Sequence, residues 1–138
     1  MASQDLAQQL LGLPDVEAQR RFLEAHTPQL NDDVASALKD QADQFLRADV
    51  SRSLQTADLI FYLAELTHNP NHRALGLLAE ANARAIGKGQ YQQADALYDQ
   101  AAHIYRDHNL VVEHAKSQKG KIWALTNLGR YTEAFRSG

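Results

Sequence analysis

The sequence of 138 residues contains no cysteine, and it contains only three prolines. Without cysteine, the chain has no disulfides, thiolate metal ligands or cysteine nucleophiles. The prolines, Pro14, Pro28 and Pro70, lie between segments with helical apolar spacing, where a missing N–H costs least. Long stretches of the chain are therefore free to form helices, and almost none has the pattern of a strand.

The sequence also lacks an excess of positive charge and any long apolar run. Its 14 Lys and Arg are outnumbered by 17 Asp and Glu, which gives a formal net charge of -3. Because binding to a phosphate backbone depends on clustered cations, we expect no nucleic-acid partner. No segment approaches the ~18 apolar residues of a membrane span, and the first residues do not have the pattern of a secretory signal. We expect a cytoplasmic protein without a membrane partner.

Apolar residues recur at separations of three and four along most of the chain. Val34, Leu38 and Ala42 form one such stripe, which is typical of a helix with one buried face. Candidate N-caps precede several of these patterns, at Asn31, Ser51, Asn71 and Asn109. The sequence predicts an all-α fold of about 7 or 8 helices, over 3–11, 15–26, 32–48, 52–67, 72–87, 91–107, 110–128 and from 131 onward.

An internal repeat is the most informative pattern. Four positions of the first copy recur 37 residues later: Leu54, Ala57, Phe61 and Ala64 correspond to Tyr91, Ala94, Tyr98 and Ala101. A third copy begins 40 residues after the second, where Gly129, Tyr131 and Ala134 repeat Gly89, Tyr91 and Ala94. Small residues permit close approach of two helices, aromatic residues fill the grooves beside them, and glycine permits a tight turn.

The segment GKGQYQQADALYDQAAHIY, together with GRYTEAF at 129–135, resembles the second helix of a tetratricopeptide repeat (TPR) and the turn before it. This resemblance implies a right-handed solenoid of helical hairpins that binds another protein or peptide on its concave side. It departs from the family pattern at Asn82, where the family favours a small residue. We predict a helical lead-in over 1–30 that packs on the array, and repeats over 31–70, 71–108 and, incomplete, 109–138.

The opening segment LLGLPDVEAQRRFLEAHTPQL looks like the lead-in of large bacterial TPR proteins that often end in a CHAT (caspase-like) protease domain. No protease residue lies in these 138 positions, so we expect no enzymatic activity from this chain. The main hypothesis is therefore an interaction scaffold. The alternative is a regulatory or structural portion of a larger multidomain enzyme such as a CHAT-type protease.

The resemblance also implies which residues contact a partner, because the first helix of each unit lines the concave side. In the second copy these positions are Ala79, Ala83 and Ile86. In the third copy they are Lys116, Lys119, Trp123 and Asn127. The two lysines and the amide are suited to a carboxylate and the indole to an apolar side chain. The alternative is that Trp123 belongs to the core and that the lysines are solvated.

Six histidines raise the question of a metal site. His68 and His72 are separated by the loop Asn69-Pro70-Asn71, so we do not expect them to share a helix face. We interpret the histidines as surface or helix-end residues, with His26 at a helix C-terminus. The two glycines of Gly87-Lys88-Gly89 are typical of a turn between helices. We expect neither a metal nor another cofactor.

The incomplete third repeat leads to a first prediction. An uncapped repeat array leaves apolar surface in water, so we expect a homodimer through the open C-terminal repeat. Sedimentation velocity over a wide range of protein concentration measures this directly. We expect the mass to rise with concentration, whereas a monomer mass at every concentration would contradict the prediction.

Overall fold

The structure is a computed structural model, and it describes residues 3–107. All regular elements in this range are helical, so the predicted all-α class is confirmed for the described part of the chain. None of these helices combines the length and apolar character that crossing a membrane requires. The α-helices are α1 (Ser3–Leu11), α2 (Val16–Ala25), α3 (Asp32–Gln44), α4 (Val50–Thr67), α5 (Pro70–Asn82) and α6 (Tyr91–Asp107).

Two short helical turns complete the described fold. A 3₁₀ turn, Thr27–Gln29, follows α2, and a π-helical turn, Ala83–Gly87, continues α5. The helices predicted over 110–128 and from 131 onward lie outside the described residues.

Side chains at the helix ends explain where the helices begin. The Asn31 side chain accepts a hydrogen bond from the Val34 N–H at 3.0 Å, so the predicted N-cap of α3 is confirmed. His26 ends α2 as predicted: its backbone N–H donates to carbonyls of the last turn, and its ring stacks on Phe22 with centroids 4.1 Å apart. The prediction that His26 lies at a helix C-terminus is therefore confirmed.

Three predicted boundaries were wrong. Helix α4 begins at Val50 and not at 52, because Asp49, and not Ser51, accepts a hydrogen bond from the Arg52 N–H at 3.2 Å. Helix α5 begins at Pro70 and not at 72, because proline suits the first helical position and the Asn69 side chain accepts from the Asn71 N–H.

Helix α3 was predicted to continue to 48 but ends at Gln44. The backbone beyond it tightens into turns in which the Leu46 N–H donates to the Asp43 carbonyl and the Asp49 N–H to the Phe45 carbonyl. The chain thus reverses into α4 within five residues.

The helices pack in sequential order and also against the second neighbour along the chain. Contacts join α1 to α2, α3 to α4, α4 to α5, and α5 to α6. Contacts also join α1 to α3, α2 to α4, and α3 to α5. Helix α5 therefore lies against three other helices.

The buried residues form two apolar clusters that meet at α5. One cluster joins α1, α2, α3 and α4, and receives Ala79 from α5. The other cluster joins α5 to α6, and its members include Leu77, Ala81 and Tyr98. Phe61 of α4 packs against this second cluster. Opposite faces of α5 thus contribute to different parts of the core.

Two glycines allow close contacts along α4. A Cβ atom on Gly76 would lie 3.0 Å from the Phe61 ring. A Cβ atom on Gly87, at the end of the π-helical turn, would overlap with the Val50 side chain at the start of α4. Gly89 has a φ of +67°, which the turn into α6 requires and which glycine adopts without strain.

The Gly87 contact predicts a strong effect of one methyl group. We expect Gly87→Ala to lower the free energy of unfolding by about 1–3 kcal/mol, because the methyl group must displace Val50 or separate the helices. Urea unfolding followed by circular dichroism measures the change. The matched variant Gly87→Ala/Val50→Ala should lose less than the two single changes together. Additive losses would show that Val50 is not the obstacle.

Candidate functional site

The predicted partner-binding residues lie outside the part of the chain that the structure describes. These residues are Lys116, Lys119, Trp123 and Asn127, and the third-copy pattern Gly129, Tyr131 and Ala134 lies there too. Their role stays a prediction.

The pattern residues of the first two copies lie on α4 and α6 and in the turn before α6. Ala57, Ala64, Ala94, Tyr98 and Ala101 are buried. Leu54, Phe61 and Tyr91 are half-buried, and Gly89 is exposed in its turn. Phe61 and the α6 residues of this set contribute to the cluster that also contains buried residues of α5.

The expected concave positions of the second copy were wrong in part. Ala79 and Ala83 are both fully buried, so they line no open surface, and Ile86 is half-buried. The reason is the π-helical turn, Ala83–Gly87, which holds about one residue more than an α-helical turn and shifts the helix face upstream of it. One position earlier stands Asn82, which is half-buried and reaches across to α3.

A groove crosses the surface between α4 and α6, with α5 at its base. Its α4 side has a volume of about 660 Å³ and its α6 side about 470 Å³. Arg73 and Leu77 line both parts, so the two depressions adjoin along α5. We call this surface the α4–α6 groove. Its principal lining residues are Phe61, Glu65, Arg73, Leu77, Glu80 and Ile104.

The α4 side of the α4–α6 groove is acidic. Glu65 and Glu80 line it, and Asp58 lies one helical turn before Phe61 on α4. Burial raises the pKa of Asp58, and the negative charge of Glu80 raises it further, although Arg20 and Arg84 act in the opposite direction. The Arg84 guanidinium pairs with the Glu80 carboxylate at 2.7 Å. Carboxylates therefore repel one another here despite a neighbouring cation.

A second surface lies between α2 and α4. Arg20 lies over the Tyr62 ring, 4.8 Å from its centroid, and the Tyr62 hydroxyl donates a hydrogen bond to the Glu24 carboxylate. That hydrogen bond is the main reason why the pKa of Tyr62 is raised. Because the polar groups of this surface already bind one another, fewer of them are available to a partner than at the α4–α6 groove.

Tyr98 connects α6 to α5 and α3 through a polar network. Its buried hydroxyl donates to Asn82 Oδ1 at 2.5 Å, and Asn82 Nδ2 donates to the Asp43 carboxylate at 3.1 Å. Lys39 completes the network with a 2.5 Å ion pair to Asp43. Burial, and to a smaller extent the Asp43 charge, raise the pKa of Tyr98 far above its ordinary value. The network orients helices and has no access to a substrate through Tyr98, which is 2% exposed.

His72 is a buried residue in the first turn of α5, so the prediction of a surface histidine was wrong for it, whereas the alternative of a helix-end histidine agrees with its position. Its Nδ1 lies 2.8 Å from Thr67 Oγ1, and its Nε2 lies 2.7 Å from Asp32 Oδ1. The imidazole thereby joins the start of α3, the end of α4 and the first turn of α5. Among the described residues, no group of three or more His, Asp or Glu is arranged to hold a metal ion.

The α4–α6 groove was not predicted from the sequence, although part of the α5 pattern that lines it can be read there. Arg73, Leu77, Glu80 and Arg84 follow at separations of four, three and four along one face of the helical segment. Three residues of this stripe are charged and one, Leu77, is apolar. The sequence did not indicate that α4 and α6 lie on either side of it.

Comparison with known proteins found no counterpart: no family model, no curated protein and no solved structure matches the chain. The TPR resemblance therefore depends on the residue pattern alone.

The raised pKa of Tyr98 predicts how stability changes with pH. Above pH 10, where an unfolded tyrosine ionises, folded Tyr98 stays protonated, so its contribution to the free energy of unfolding falls by about 1.4 kcal/mol per pH unit. In the Tyr98→Phe variant there is no hydroxyl proton at this position, so the variant lacks this pH dependence. The stability difference between the native chain and Tyr98→Phe should be about 1 kcal/mol at pH 8, from the lost hydrogen bond. It should shrink between pH 10 and 11.

Urea unfolding at pH 8, 10 and 11 provides the measurement. The comparison with Tyr98→Phe cancels the titration of the other tyrosines and of lysine. Parallel stability curves for the two proteins over this pH range would contradict the assignment of a raised pKa to Tyr98.

Proposed function

We propose that this chain is a protein-binding module of the TPR kind, which holds a segment of another protein and catalyses no reaction. The observation that carries the proposal is the α4–α6 groove, which consists of two adjoining depressions on three packed helices. Its apolar lining consists of the half-buried Phe61 and Ile104 with the buried Leu77 beside them, and its borders are charged. Apolar anchors within charged borders are typical of surfaces that bind peptide segments.

The rigidity of the groove favours this function. Its base belongs to α5, which contacts α3, α4 and α6. Gly76 brings the helix backbone close to the Phe61 ring, which limits the freedom of that ring. A surface that is already ordered loses little conformational entropy when a partner binds.

The TPR interpretation gains support from α5. Counting back from the turn placed Asn82 at a position where the family favours a small residue. With one extra residue in the π-helical turn, that position falls on Ala81, which is fully buried against α6. Asn82 then differs from the family pattern because one residue is inserted in the π-helical turn, and the contact between α5 and α6 is made by the small residue Ala81.

The predicted face on residues 116–127 remains part of the proposal as a second contact surface. In a continuous array, a segment held by one unit extends to the next. Binding at the α4–α6 groove is independent of that face and can be tested by itself.

Site-specific photo-cross-linking tests the function. A photoreactive amino acid replaces Arg73, an exposed residue at the base of the groove, in cells that naturally produce the chain. The matched control carries the same amino acid at Ser36, an exposed residue of α3 outside the groove. We expect irradiation to give an adduct of discrete mass from position 73 and none from position 36.

Circular dichroism establishes that both substituted chains are folded. Two outcomes contradict the proposal: the absence of any adduct from position 73, and the same mixture of adducts from both positions. Mass spectrometry of the adduct identifies the partner segment.

A further inference from the structure

We propose that the segment bound by the α4–α6 groove is a positively charged amphipathic helix of a separate protein. This inference depends on the proposed function, because it assigns the chemistry of the partner at the same groove. It follows from the distribution of charge around the groove and from the apolar atoms at its base.

The charges around the groove are mostly negative. On the α4 and α5 side they are Glu65 and Glu80, and the Glu80 carboxylate pairs with Arg84 at 2.7 Å. On the α6 side, Asp99 lines the groove, and His103 pairs with Asp107 at 3.1 Å. Acidic side chains thus lie along both borders.

Asp58, on α4 outside the lining of the groove, lies close enough to Glu80 for the negative charge of Glu80 to raise its pKa, after the larger effect of burial. A carboxylate that is held near another carboxylate gains stability when a cation approaches both. The acidic border is therefore suited to lysine or arginine side chains, whose long aliphatic stems can pack on the half-buried Phe61 and Ile104 while their charged ends reach the carboxylates.

The net charge of the whole described region also favours a positively charged partner. Residues 3–107 contain nine Lys and Arg and fifteen Asp and Glu, a net charge of -6. Such a field increases the rate at which positively charged partners arrive and disfavours acidic ones.

Arg73 adds a constraint on the register of the partner. It is the cation at the base of the groove that both sides share. A cationic residue directly opposite Arg73 would be repelled. We therefore expect an apolar residue at the centre of the bound helix and basic residues towards its borders.

Two synthetic peptides test the charge preference. Both have the same pattern of leucine and alanine along one helix face, with lysine at the polar positions of one peptide and glutamate at those of the other. Fluorescence anisotropy with the full chain measures binding at low salt and at about 0.15 M salt. We expect the lysine peptide to bind, the glutamate peptide not to bind, and salt to weaken binding.

Matched double variants locate the binding site. Glu65→Gln/Asp99→Asn removes one negative charge from each border of the groove, and Asp33→Asn/Asp40→Asn removes two from the exposed surface of α3. We expect the groove variant to bind the lysine peptide about fivefold more weakly and the α3 variant to stay within about twofold of the native chain. Equal losses in both variants would indicate general attraction and overturn the proposal.

Other outcomes separate the two proposals. Equal or tighter binding of the glutamate peptide, or binding of neither peptide, overturns the basic partner but leaves the groove to be judged by cross-linking at position 73. If the adduct from position 73 contains only residues 108–138 of this chain, the separate partner is overturned. An adduct with a basic amphipathic segment of another protein supports both proposals.

Discussion

The small side chains of α5 allow three other helices to approach it. Ala74, Gly76, Ala79 and Ala81 are all buried, and they contact neighbours on different sides. Ala79 belongs to the cluster of α1 to α4, whereas Ala74 and Ala81 belong to the cluster shared with α6. Larger residues would force the helices apart, because packed interiors leave no room for added volume. The close packing of the three helices that carry the α4–α6 groove follows from these small residues.

Polar contacts define how the helices are oriented once the small residues have let them approach. His72 joins three helix ends, and Tyr98 connects α6 through Asn82 to Asp43 on α3. Buried hydrogen bonds contribute little net stability, but an unmade one costs more, so they disfavour other orientations. The apolar clusters are mainly responsible for cohesion, and the two networks specify the arrangement.

Much of this fold was predictable because its signals are local. The spacing of Val34, Leu38 and Ala42 indicated α3, and the Asn31 cap marked its first turn. Asp49 and Asn69 were missed as caps because several capping residues stand close together, and only geometry decides among them. The π-helical turn has no clear sequence signal. It displaced the expected faces of Ala79 and Ala83, and it is why the predicted concave positions failed while the predicted helix did not. The groove needed the positions of three helices, which no local pattern contains.

The π-helical turn, Ala83–Gly87, also bears on how the repeat can change in length. An added residue in an α-helix normally rotates everything on one side of it by about 100°. Here the extra residue is taken up within a single turn, between the part of α5 that contacts α3 and the tight turn into α6. A π-helical turn of this kind accommodates one inserted residue at a defined point and leaves the rest of the helix face in register.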